Sequence, residues 1–229
     1  MDKLSANLAN NPVFSKLTPR DRDNLAKLAL RKTYQKGEFI CWQGETWPKV
    51  LCLASGRLEW SMLSPDGKRQ VVFRLEPNTT VWGHSLFDDQ PMPASLEVVE
   101  SAEVYIWPQE TIKPIIFHSV EAVWEVSRQM VTIMRKVRDI VYGFAFHPVA
   151  GRLARLLLDY YQPVDGELTP RDLTLDDMAD SIGTTRELVS KTLHRFADAG
   201  MIRVNRMQFV FTDKNQLEQV AGTKNENIL

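Results

Sequence analysis

With 229 residues, the chain exceeds one typical domain and falls short of two large ones; its 44% hydrophobic content is ample for packed cores, so two domains are expected. A formal net charge of −1 excludes a globally basic nucleic-acid coat protein, so any nucleic-acid contact must come from a local patch. No apolar run reaches membrane-span length and the first five residues lead into no secretory apolar region, so a cytoplasmic location with no membrane partner is expected.

In chain order, Thr18-Pro19-Arg20-Asp21 is a helix start with Leu25, Leu28 and Ala29 apolar behind it, so the chain is expected to open with a short helix. Residues 36–108 then offer short strand-like runs at 39–42, 50–53, 58–63, 70–75, 96–99 and 104–107, punctuated by glycine and proline. Many short strands at near-regular spacing mean a compact barrel or roll, with Ser64-Pro65-Asp66-Gly67 as its clearest hairpin turn. Cys41 and Cys52 lie in these apolar runs, which suits buried thiols better than a disulfide framework. Trp42, Trp60, Trp82 and Trp107 either fill the roll or line a semi-polar pocket.

Beyond Pro114 the period becomes helical. Val123, Val126, Met130, Ile133, Val137, Ile140 and Phe144 alternate spacings of three and four, a heptad stripe that predicts a parallel homodimer seam through Val126, Met130, Ile133, Val137, Ile140 and Phe144. Met134 and Val141 form a narrower second face, assigned to contact with the roll. The helix should stop near Phe146-His147-Pro148, because proline disfavours helical geometry in the residue before it, and Pro148 should begin the next helix. The expected divisions are 1–114 for an effector-sensing roll with its N-terminal helix, 115–146 for the dimerisation helix and 147–229 for the C-terminal domain.

The segment from Thr174 to Arg195 reads as two short helices joined by a glycine turn. Thr174 and Asp177 can cap the first, Met178, Ala179 and Ile182 give it an apolar face, and Gly183 stops it. Thr184 or Thr185 caps the second, whose inward side is expected to be Leu188, Val189 and Leu193, with Arg186, Glu187, Ser190, Lys191 and His194 outward. Two short strands around Asn205-Arg206-Met207 follow, so the unit is a winged helix-turn-helix, which implies sequence-specific binding of double-stranded DNA. Thr185, Arg186, Glu187, Ser190, Lys191, His194, Arg195, Arg203 and Arg206 are the candidate contacts; their cations oppose only Glu187 and Asp198 in this stretch. No nucleophile-elbow, phosphate-loop or zinc-protease motif occurs and the four histidines show no metal-like spacing, so no enzyme is expected.

Roll, long helix, hinge and winged helix-turn-helix, in that order, resemble the Crp/Fnr family of bacterial transcription regulators across nearly the whole chain. Gln43-Gly44-Glu45, a turn at Gly56 followed by Ser64-Pro65-Asp66-Gly67, and Gly83 followed by Leu86-Phe87 are similar to its roll; Arg186-Glu187-Leu188-Val189-Ser190-Lys191 is similar to its recognition helix. The resemblance implies an α+β fold: an N-terminal jelly roll like a cyclic-nucleotide-binding domain, a dimerisation helix and a C-terminal winged helix-turn-helix. It further implies a cytoplasmic, allosteric homodimer that reads a palindrome, senses a small-molecule effector and works with RNA polymerase. By the same likeness, Arg186 and Glu187 meet a G·C pair and Lys191 a second guanine or a phosphate, which leaves TGTGA-like and TTGAT-like half-sites open.

The departures concern the effector. The matching pocket stretch is Trp82, Gly83, His84, Ser85 and Leu86, with Val137 and Arg138 on the long helix where the cyclic-AMP-binding branch carries a Thr-Ser pair. That branch also holds ribose and phosphate with a Gly-Glu pair and an Arg-Ser pair, where this chain has Gly83-His84 and Pro93-Ala94. A buried phosphodiester needs a cation, and no Arg or Lys lies between Arg74 and Lys113, so cyclic AMP binding is not expected. Two cysteines cannot supply the four thiolates of the iron–sulfur branch. His84 leaves a haem-based gas- or redox-sensing alternative open, although the neighbouring cysteine of that branch is Trp82 here; a sensor-dead, constitutive DNA-binding dimer is the other alternative.

Overall fold

A computed structural model describes residues 3–222 except position 206, so the Arg206 assignment lies outside the described residues. Two compact units emerge, one holding the residues up to Gly67 together with Val71–Val137, the other Lys68–Gln70 and the chain from Arg138 onward. The division falls inside the long helix rather than at position 147.

In the first unit, helix α2 (Pro19–Leu28) starts as expected, with the Thr18 hydroxyl accepting from the Asp21 amide and Pro19 in the first turn. A further helix, α1 (Lys3–Ala9), precedes it and buries Leu4 and Leu8. Its signal was a single pair of leucines four apart ahead of Asn10-Asn11-Pro12, too short for periodicity to register.

Strands β1 (Leu30–Tyr34), β2 (Phe39–Cys41), β3 (Lys49–Leu63), β4 (Arg69–Leu75), β5 (Thr80–Trp82) and β6 (Ser95–Pro108) form one sheet, ordered β1-β6-β3-β4, with β2 also on β6 and β5 on β3. Four of the expected short strands thus merge into two long ones, paired from Val50↔Trp107 to Ser61↔Ser95. Gly56 is therefore no turn. It sits at φ +82° among register shifts between Leu53 and Leu58, and a Cβ there would lie 2.3 Å from the Ser101 carbonyl oxygen. A bulge interrupts alternation much as a turn does, which is why sequence pattern splits the strand. The Ser64–Gly67 turn is present, closed by the Gly67 amide on the Ser64 carbonyl at 2.9 Å.

Alternate residues of β3 enter different cores. Val50 joins Phe14, Trp82, Leu86, Trp107, Ile112 and Ile116 on the helical side, while Leu51, Leu53, Leu58 and Trp60 join Leu96, Val98 and Val104. Strands β3 and β6 are buried or half-buried at most positions, so they read as near-continuous apolar runs, whereas β1 is largely exposed. Helices α3 (Ser85–Asp88), α4 (Gln109–Ile116) and the first part of α5 (Val120–Phe146) complete the helical layer.

The second unit holds the end of α5, α6 (Val149–Tyr161), β7 (Leu168–Pro170), α7 (Leu175–Ile182), α8 (Arg186–Asp198), β8 (Ile202–Val204), β9 (Gln208–Phe211) and α9 (Lys214–Ala221), with strand order β7-β9-β8. Its core combines Leu153, Leu157, Met178, Ile182, Val189, Leu193, Phe196, Phe209, Phe211 and Leu217. Pro148 caps α6 rather than starting it. Strand β7 and helix α9 add to the expected wing. No helix among the described residues is long and apolar enough to cross a membrane.

Candidate nucleic-acid interface and effector pocket

Local chemistry positions α8. The Thr174 hydroxyl accepts from the Asp177 amide at 3.1 Å and the Asp177 carboxylate accepts from the Thr174 amide at 2.8 Å, so α7 begins with a complete capping box. Gly183 ends α7 at φ +61°, where a Cβ would come 2.6 Å from the Phe144 ring; both left-handed backbone and close approach demand glycine. Thr185 then caps α8 through the Leu188 amide.

Val189, Thr192, Leu193 and Phe196 are the buried side of α8. Leu188, expected inward, is 44% exposed, and Thr192 takes the inward place with its hydroxyl donating to the Leu188 carbonyl at 2.7 Å. At about 100° per residue, position 188 flanks the buried stripe whereas 192 lies within it, and the hydroxyl is satisfied by back-bonding. Thr185, Arg186, Glu187, Lys191, His194 and Arg195 are exposed and Ser190 is half-buried, while Arg203 is exposed on β8. The outward face of α8 is thus polar along its length, with Leu188 as the exposed apolar residue that pattern reading assigned to the core.

These side chains are poised electrostatically. The Glu187 carboxyl is held below its usual range by its own backbone N–H at the helix N-terminus, then by the Thr185 hydroxyl, so an ionised acceptor is presented. Arg186 Nη1 lies 2.8 Å from Asp176 Oδ2 in an exposed pair, a partner that any base or phosphate would have to replace. His194 Nδ1 lies 2.7 Å from the Ser190 carbonyl, which can only accept, so in this contact Nδ1 is the donor.

Where α5 meets this unit, Arg152 donates from Nε to the Ile182 carbonyl and from Nη1 to the His147 carbonyl, each at 2.9 Å, and lies 5.2 Å from the centroid of the Phe144 ring. Phe144, expected in the seam, therefore packs on the end of α7.

The other seam residues divide. Val126 is 6% exposed and belongs to the helical-side core of the first unit, with Met130 against it; Ile133 and Val137 are exposed and Ile140 is half-buried. Val120, Trp124, Ser127, Val131, Met134, Arg138 and Val141, spaced by four and three, instead line the solvent side of α5, with Trp124 and Met134 nearly 70% exposed. Met134 and Val141 are thus the outward residues and Val126 the roll-facing one, the reverse of the expected division. A heptad pattern yields two adjacent apolar faces, and only packing tells which one the domain covers.

The pocket residues also divide. Gly83 is walled in, since a Cβ would lie 2.3 Å from the Trp47 carbonyl oxygen. The Ser85 hydroxyl accepts from the Trp47 amide at 3.1 Å and donates to the Gln90 carbonyl at 2.6 Å, a purely structural bridge. His84 is exposed, edge-on to Trp60 at 6.2 Å between ring centroids. Trp82 and Leu86 instead wall a cavity of about 230 Å³ with Phe87, Ile112, Lys113, Ile116, Phe117, Val123, Val126 and Ser127; Val137 and Arg138 do not line it, and Arg138 pairs with Asp139 at 2.6 Å. The cation nearest in sequence before this stretch, Arg74, is held by Glu59 at 2.8 Å. Burial pushes the thiols of Cys41 and Cys52 up to about 12, so neither is a reactive thiolate at neutral pH. Among the described residues no cluster of three or more His, Cys, Asp or Glu side chains could hold a metal ion.

Comparison with known proteins agrees with this geometry. A cyclic nucleotide-binding domain model matches residues 31–119 and a Crp-like helix-turn-helix domain model matches residues 151–220. A CRP-like cAMP-activated global transcriptional regulator of Mycobacterium tuberculosis is 24% identical over 226 residues, covering 96% of this chain and all of that protein. Among solved structures, the c-di-GMP responsive regulator CLP of Xanthomonas campestris superposes with a TM-score of 0.75 at 15% identity over 85% of this chain and 99% of that one. A CooA mutant from Carboxydothermus hydrogenoformans superposes with a TM-score of 0.74 at 18% identity, covering 96% and 97%. A cyclic-nucleotide-binding-like unit joined by α5 to a Crp-like helix-turn-helix, with relatives matching from end to end, makes this chain a member of the Crp/Fnr family of transcription regulators, a family of DNA-binding proteins rather than enzymes.

Proposed function

We propose that the protein is a cytoplasmic homodimer that binds a palindromic operator through α8, acts with RNA polymerase, and is controlled by a small effector bound in the first unit that is not cyclic AMP. The observation carrying the DNA reading is the outward face of α8, where a capped N-terminus presents Arg186, ionised Glu187 and Lys191 side by side. Arginine donates to guanine O6 and N7 and glutamate accepts from cytosine N4, so a G·C pair is demanded in each half-site, with half-sites roughly 10 to 10.5 base pairs apart. Binding-site selection on the wild type and Glu187→Ala tests this; identical motifs with equal information at every position would show that Glu187 reads no base.

Support for the dimer comes from the outward stripe of α5 centred on Val131 and Met134. The M. tuberculosis relative is described as cAMP-activated, but here the pocket stretch supplies no cation before Lys113. Calorimetric titration with cyclic AMP should therefore give no saturable heat. Haem sensing is not favoured: His84 is exposed and is absent from the wall of the Trp82 cavity.

A further inference from the structure

We infer that the cavity between α3, α4 and α5 is a binding site for a small aromatic or branched aliphatic monocarboxylate, its apolar body lying among Trp82, Leu86, Ile116 and Val126 and its carboxylate meeting Lys113. The inference rests on the reading above that the first unit senses an effector, and names where and what it senses.

Size sets the first limit. At about 230 Å³ the cavity exceeds the roughly 150 Å³ at which an engineered apolar void already takes benzene, and falls short of the roughly 300 Å³ at which drug-sized sites begin. It has room for one ring with a short side chain.

Chemistry sets the second. The Trp82 indole N–H is already donated to Gln129 Oε1 at 3.1 Å, so Trp82 offers the cavity its ring alone. The Ser127 hydroxyl is turned back on the Val123 carbonyl at 3.0 Å. Lys113 is the charged group of the wall; one of its three donors goes to the neutral Gln109 side chain at 3.1 Å, which leaves the charge uncompensated by that bond. A single ammonium at the edge of an apolar pocket selects a single anionic head on an apolar body. A polar or uncharged ligand would leave either the wall or the ammonium without a match.

Position supplies the consequence. The walls come from three helices, and the α5 contribution, Val123 and Val126 with Ser127, occupies the same two turns as Trp124 and the start of the outward stripe. An occupant therefore presses on the helix that carries the proposed seam and runs on into the helix-turn-helix unit. Rotation of its first turns by an occupant is a differential contact of the kind allosteric control requires.

The experiment is calorimetric titration of the full-length protein with phenylacetate and with its neutral isostere phenylacetamide, on the wild type, Lys113→Gln and Val123→Phe, alongside an operator gel shift. The expected result is one saturable phenylacetate site per chain, with phenylacetamide at least ten-fold weaker. Lys113→Gln should abolish that preference. Val123→Phe, which fills the cavity from a partly exposed helix position, should abolish binding of both with an unchanged melting temperature; Ser127→Leu is the second filling variant should that one not fold. Absence of saturable phenylacetate binding overturns the proposal, as does binding that survives filling or equal affinity for the amide. So does binding seen only after Met134→Glu breaks the dimer, because that would mean a second copy occupies the mouth. Specific operator binding in the gel shift alongside any of these failures leaves the regulator reading standing, whereas absent operator binding under every condition counts against that reading itself.

Discussion

The outer face of α8 and the surroundings of Gly83 are both places where the chain can be set beside its family, and they behave oppositely. On α8, Arg186, Glu187 and Lys191, polar residues that the family likeness singles out, stand exposed on a capped helix. Around Gly83, glycine and serine are consumed by packing and bridging, histidine faces solvent, and a cavity lies instead beside Trp82 and Leu86. A surface that meets an external polymer needs only side-chain identity and helix register. A pocket needs several distant elements to agree on a volume, so likeness at single positions does not specify it.

The sharpest way to break this comparison is on α5, where the two faces are claimed to differ in kind. Val126→Asp would bury an uncompensated carboxylate in the first unit's core and should cost several kcal/mol, on the order of 3–5, seen as lost cooperative melting. Met134→Asp, on the exposed stripe, should leave each chain folded and convert dimer to monomer in sedimentation. Equal melting of the two variants would erase the distinction between the faces.

Next in size is base readout. Arg186→Ala or Glu187→Ala should cost about 1–3 kcal/mol at one operator position, while Arg203→Ala should weaken all sequences alike and flatten the salt dependence. Titrations across several salt concentrations separate the two behaviours. Asp176→Asn offers a finer probe of the same helix: freeing Arg186 from an exposed ion pair should raise operator affinity only several-fold, about 0.2–1 kcal/mol. A fall in affinity would mean that Asp176 aims the guanidinium instead of restraining it.

The smallest effect concerns pH. Burial, then Arg155 and Arg152, hold the His147 imidazole below its ordinary value, so the folded second unit takes up a proton less readily than the unfolded chain. Its contribution to stability is complete above the unfolded value near about 6.5 and is lost as pH falls through the lower folded value. Melting temperatures of the wild type and His147→Asn, compared from neutral to mildly acidic pH, should converge on acidification; parallel curves would remove His147 as the cause.

Much of the architecture was legible before any coordinates. The capping box at Thr174, the left-handed stop at Gly183, the Thr18 cap and the Ser64–Gly67 turn are made by residues within a few positions of one another, so local stereochemistry suffices to specify them. The same holds for the end of α5 before Pro148. Tertiary packing alone decided the rest: that Val126 faces the roll and Met134 the solvent, that Thr192 displaces Leu188 from the core, that two long bulged strands replace four short ones, and that a cavity lies between α3, α4 and α5. Periodicity states which residues share a face of a helix or strand, but burial depends on which remote segment arrives to cover that face, and that is a property of the assembled core.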